Sequence, residues 1–103
     1  MRDEAETTPA VEHNESKSRF EAKVGGDLAV ASYVRDGDRM TFNHTSVPTQ
    51  HEGRGIGNAL AREALEFASR EKVSVVPQCE FIAAYIEKHP EYRHLVRQDS
   101  SGT

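Results

Sequence analysis

The segment His51-Glu52-Gly53-Arg54-Gly55-Ile56-Gly57-Asn58 carries three glycines at alternate positions, 53, 55 and 57. Glycines let an anion come close to backbone N–H groups, and an amphipathic pattern follows at once. The first N–H groups of a helix have no internal partner and stand at the positive end of its dipole, so the segment is a candidate phosphate site. It also reads as a glycine-rich turn that fixes the angle between a strand and a helix. Two phosphate loops are excluded by spacing. The nucleoside-triphosphate loop needs Lys and then Ser or Thr after its last glycine, where Asn58-Ala59 stand. The dinucleotide fingerprint needs glycine at Asn58. Two further side chains could do chemistry. His44 carries an imidazole that titrates near neutrality and could act as a general base, or serve as a hydrogen-bonded core residue. Cys79 precedes a predicted helix, where thiolates are favoured; its plainer reading is a small buried hydrophobe. The five histidines form no i, i+4 helical pair and join no carboxylate motif, so no metal site is expected.

Such a loop needs a strand before it and a helix after it. Residues 39–47 alternate, with Met40, Phe42 and His44 on one face and Thr41, Asn43 and Thr45 on the other, until Pro48 stops the ladder. After the loop, Ile56, Leu60, Ala64, Phe67 and Ala68 make a helical stripe ending near Arg70. The β-branched run at 73–76 predicts a strand parallel to the one before the loop, because the helix between them forms a crossover. Earlier, residues 19–24 alternate and residues 28–34 are almost wholly apolar. Gly25-Gly26 and Asp36-Gly37 supply the hairpin turns. Residues 80–88 predict a second helix burying Phe81, Ala84 and Tyr85, ended by Pro90, and residues 92–96 a last turn. The order β-β-β-α-β-α describes an α+β domain with a mixed sheet, an antiparallel meander followed by a β-α-β crossover.

Composition bounds the function classes. With 103 residues, 36% apolar and 29% charged, the chain makes one domain with a modest core. Its mean hydropathy is −0.70, and no apolar run approaches the ~18 residues of a membrane span. Residues 1–16 hold Arg2 against Asp3, Glu4, Glu6, Glu12 and Glu15, so the whole net charge of −4 lies there and the remainder is formally neutral. That remainder has no basic excess with which to hold nucleic acid. The predicted organisation is a solvated acidic tail over 1–16, a folded domain over 17–97 and a short tail over 98–103. Residues 1–15 contain no apolar stretch of the secretory kind, and the lone cysteine leaves no internal disulfide; a reduced, cytoplasmic setting is the expectation.

The glycine segment, written Glu52-x-x-Gly55-x-Gly57, resembles the Q/R-x-x-G-x-G/A signature of the GNAT N-acetyltransferase superfamily. The likeness continues in Phe42-Asn43-His44-Thr45-Ser46-Val47-Pro48, in Val76-Pro77-Gln78-Cys79-Glu80-Phe81, and in Tyr85-Ile86-Glu87-Lys88-His89-Pro90-Glu91-Tyr92. Together these resemble the minimal single-domain GNAT-like family. The resemblance implies a GNAT-like mixed sheet and an acetyl-CoA-binding N-acetyltransferase acting on an amine acceptor that the sequence does not name. The alternative is a non-catalytic acyl-CoA-binding or protein-interaction module on the same fold. It implies a pyrophosphate held by the backbone of Gly53, Arg54, Gly55, Ile56, Gly57 and Asn58. The thioester carbonyl would be polarised near Thr45 to Val47, with Cys79 beside the acetyl-bearing sulfur. His44, Cys79 and Tyr85 are the candidate catalytic residues; Tyr85, or alternatively Tyr92, would protonate the departing thiolate. Glu52 departs from the Gln or Arg of the signature, and a carboxylate there should weaken pyrophosphate binding.

Overall fold

The computed structural model describes residues 10–53 and 55–96. Along the chain come β1 (Val11–Asn14), a 3-10 turn (Glu15–Lys17), β2 (Arg19–Val24), β3 (Asp27–Asp36) and β4 (Arg39–Ser46). A second 3-10 turn (Thr49–His51), α1 (Ile56–Glu71), β5 (Ser74–Pro77), α2 (Glu80–Lys88) and a closing 3-10 segment (Pro90–Leu95) follow. The strands form one sheet in the order β1-β2-β3-β4-β5. The first four pair antiparallel, and β5 joins β4 in parallel because α1 carries the chain back to the edge from which β4 started. This is the meander and crossover that the sequence pattern predicts, with one strand added in front. Among the described residues no helix is long and apolar enough to cross a membrane.

Strand alternation puts Phe20, Ala22, Ala29, Ala31, Tyr33, Met40 and Phe42 on one buried face. Across it lies α1, burying Ile56, Leu60, Ala61, Ala64, Leu65 and Ala68. The alanines let the helix sit close to the sheet, while each fully buried leucine contributes about 1.5–3 kcal/mol of transfer free energy. Lys72, at φ 59, ends the helix in the left-handed conformation, its N–H donating to the carbonyls of Ala68 and Ser69.

Three sequence expectations are corrected. First, the tail predicted over 1–16 is not a tail from Val11 on. Val11 and His13 pair opposite Ala22 and Phe20 and point into the core. The His13 ring stacks on Phe20 with centroids 4.1 Å apart and meets the Phe67 ring edge-on at 4.4 Å. Its Nε2 shares a 2.6 Å hydrogen bond with the Tyr33 hydroxyl. Asn14 then caps the first 3-10 turn, accepting from the Lys17 N–H. Two inward side chains of the right shape outweigh the acidic composition around them. Residues 1–9, Arg54 and residues 97–103, including the tail expected at 98–103, lie outside the described residues.

Second, His44 is not on the Met40/Phe42 face. Ser32 pairs with His44 and Tyr33 with Phe42, so Asn43 is an extra residue in β4, a β-bulge. Past it the alternation inverts: Thr45 and Val47 turn inward and His44 becomes exposed. Third, α2 buries Ile82, Tyr85 and Ile86, not Phe81 and Ala84. The Cys79 N–H donates to the Phe42 carbonyl at 2.8 Å, which pins the start of the helix to β4 and sets its rotation.

Candidate functional site

Pairing between β4 and β5 ends at Phe42 and Pro77, so from Asn43 onward β4 has ladder partners only on its β3 side. Here lies a cleft of about 420 Å³. Its walls are Thr45 of β4, Val47 just beyond the strand, the connection His51–Gly53, the N-cap Gly55 with Ile56 to Asn58 of α1, and Phe81 of α2.

The glycines of the loop have different duties. Gly53 and Gly55 sit at φ 84 and φ 82, and nothing lies within 4 Å of where a Cβ would stand on either. Both are therefore backbone requirements beside open space, since a side chain in that conformation costs about 1–2 kcal/mol. Gly55 is the N-cap of α1, and the N–H groups of the first helical turn lack intrahelical acceptors. Gly57 is instead buried, and a Cβ there would come within 2.7 Å of the Phe81 ring.

The connection into the loop is tied to the β2–β3 hairpin. Both the Gln50 amide, at 2.9 Å, and His51 Nε2, at 3.0 Å, donate to Asp27 Oδ2. His51 Nδ1 is buried and has no hydrogen-bond partner among the described residues. Glu52 is exposed at the rim. The Cys79 thiol donates to Thr45 Oγ1 at 3.2 Å, so it stands one contact behind the cleft wall, at the N-cap of α2.

Of the predicted site residues, Thr45, Val47, Gly53, Gly55, Ile56, Gly57 and Asn58 gather around this one cleft, with Cys79 behind Thr45. Arg54 lies outside the described residues. His44 is exposed and is not among the lining residues. Tyr85 is also absent from the lining. Its buried ring stacks on His89 at 4.1 Å and lies 6.2 Å from that of Tyr92. Burial pushes both phenols above their ordinary value, and for Tyr92 the 2.6 Å hydrogen bond it donates to Glu66 Oε2 adds to the rise. Two lining residues, His51 and Phe81, were not singled out from sequence. His51 adjoins the glycine loop, which was a usable signal; Phe81 was masked by being counted into the core.

Among the described residues no group of three His, Cys, Asp or Glu side chains is arranged to hold a metal.

Comparison with known proteins gives this geometry its context. Residues 19–95 match the family model described as GCN5-related N-acetyl-transferase. Over 90 residues the chain is 34% identical to Protein NATD1 of Mus musculus, spanning 84% of this chain and 82% of that one. It is equally 34% identical to Protein NATD1 of Homo sapiens, covering 84% of this chain and 80% of the human one. In fold it resembles a GCN5-like protein from Staphylococcus aureus solved in solution by NMR, with a TM-score of 0.63 at 19% identity over 87% of this chain and 89% of that one. A sheet that parts beside a glycine-capped helix, together with a family match running from β2 through the closing 3-10 segment, makes this chain a member of the GCN5-related N-acetyltransferase family.

Proposed function

We propose that the chain binds acetyl-CoA in this cleft and transfers its acetyl group to an amine. The observation that carries the reading is that the positive-φ glycines, the N-terminus of α1 and the free edge of β4 all border one cavity. Each supplies something the reaction needs. The helix N-terminus and loop backbone offer donors to the pyrophosphate. N–H groups on the β4 edge that β5 has left offer donors to the thioester oxygen as charge develops there. His44 is exposed and directly precedes the lining residue Thr45, so its imidazole is assigned the proton of an amine arriving at the rim of the cleft. The amine nitrogen bonds to the carbonyl carbon, the C–S bond breaks, and coenzyme A leaves as a thiolate. Tyr85 has no part in this scheme, because its ring is buried against His89; the thiolate takes its proton from water, and His44 gives up to solvent the proton it took from the amine. Cys79 backs Thr45, which walls the acyl end.

One observation favours a second reading. Glu52 exposes a carboxylate at the mouth of the pyrophosphate site, which suits a weak acyl-CoA-binding module without turnover. The test is release of free thiol from acetyl-CoA in the presence of small amines and lysine-bearing peptides. Amine-dependent release that is lost in His44→Ala supports transfer. Binding of acetyl-CoA with no amine-dependent release supports the module.

A further inference from the structure

Phe81 is a large apolar side chain that the core does not use. Beneath α2 the space is filled by Ile82, Tyr85 and Ile86, while Phe81 stays 39% exposed and lines the cleft. Its ring lies against Gly57: a Cβ at that position would stand 2.7 Å from Cζ and 3.2 and 3.3 Å from the two Cε atoms. Gly57 is helical, with none of the positive φ that Gly53 and Gly55 show. A glycine inside a helix costs roughly 0.5–1 kcal/mol against alanine, so its backbone alone gives no reason for it. What the absent side chain provides is a seat for the ring. With the ring seated, Phe81 borders the same cleft as Thr45 of β4 and Val47 just beyond it.

From this we propose that the Gly57–Phe81 contact is the element that selects carriers with a pantetheine arm over bare nucleotides. The inference rests on the acyl-CoA reading above. A nucleotide diphosphate needs only the backbone donors of the loop and α1. A pantetheine arm is a chain of methylenes broken by two amides. It needs an apolar surface for the first and a backbone edge for the second, and the cleft offers both in Phe81 and β4. A side chain at 57 would stand 2.7 Å from the ring and displace it from the position in which it lines the cleft.

Calorimetric titration with coenzyme A and with 3′-phospho-ADP, which keeps the pyrophosphate and lacks the arm, tests this. Phe81→Ala should weaken coenzyme A by about tenfold and leave 3′-phospho-ADP within about twofold, because only the arm loses a buried contact. Gly57→Ala should weaken coenzyme A in the wild-type background and cost nothing more in Phe81→Ala, where the clash partner is gone. Equal losses for both ligands in Phe81→Ala, no loss for either, or the same Gly57→Ala penalty in both backgrounds would overturn the proposal. The ratio measured in Phe81→Ala decides by itself if Gly57→Ala does not fold. Wild-type protein that binds neither ligand would instead sink the acyl-CoA reading beneath it.

Discussion

His13→Ala is expected to destabilise the domain even though it lies in a stretch whose composition reads as solvent-exposed. The side chain is only 18% exposed. Alanine removes the stack on Phe20 and the edge contact with Phe67, each worth on the order of 1 kcal/mol, and strands the Tyr33 hydroxyl at a cost of about 1 kcal/mol more. The loss is then about 2–3 kcal/mol, or roughly 10–20 °C in Tm for a domain of this size. Thermal and urea unfolding above pH 7, followed by circular dichroism, read it directly. A Tm change under about 2 °C would refute the reasoning, since it would mean that β1 does not close the core. The site also carries a pH signature. Burial holds the His13 pKa below its ordinary 6.5, with Glu15 opposing and Arg35 assisting. The unfolded chain therefore binds this proton more readily. His13 stabilises fully above about 6.5, and that stabilisation drains away as pH falls through the folded value. His13→Phe keeps an aromatic ring without the titration, so the wild-type advantage over it should shrink as the solution is acidified.

Other consequences concern the cleft. Gly55→Val should abolish acetyl-CoA binding and cost about 1–2 kcal/mol of stability, because φ 82 strains any branched residue; retained affinity by calorimetry would remove the loop from the site. Glu52→Gln should tighten acetyl-CoA by about two- to fivefold at low ionic strength, with the gain fading in high salt; an unchanged Kd would mean that the carboxylate does not face the pyrophosphate. Acetyl-CoA should protect Cys79 from iodoacetamide and ATP should not, since only the former reaches past Thr45; equal labelling, on protein shown to bind acetyl-CoA, would take Cys79 away from the acyl end.

Much of the fold was legible because its signals are local. Period-two alternation marked β2, the glycine and Asp-Gly turns marked the hairpins, and a spaced apolar stripe marked α1. What was missed depends on partners. β1 rests on two inward residues, Val11 and His13, whose worth comes from Phe20, Tyr33 and Phe67, far along the chain. The bulge at Asn43 is a mismatch of register between β3 and β4, so nothing in β4 alone announces that His44 turns outward. The rotation of α2 follows from the Cys79 N–H binding the Phe42 carbonyl, a contact that only the parallel pairing creates. For the same reason the glycine loop stood out while Phe81 did not. The loop is defined by its own backbone; Phe81 reaches the cleft from another helix, with its ring against Gly57.

The measurement that bears most directly on acyl-CoA binding is an amide NMR titration of the full chain with acetyl-CoA, coenzyme A and ATP. Acetyl-CoA and coenzyme A should move the amides of Gly53, Gly55–Asn58 and Thr45–Val47 together, with ATP shifting the loop weakly and leaving β4 still. Shifts that cluster away from these residues, or no shifts with either coenzyme A species, would contradict the assignment of this cleft.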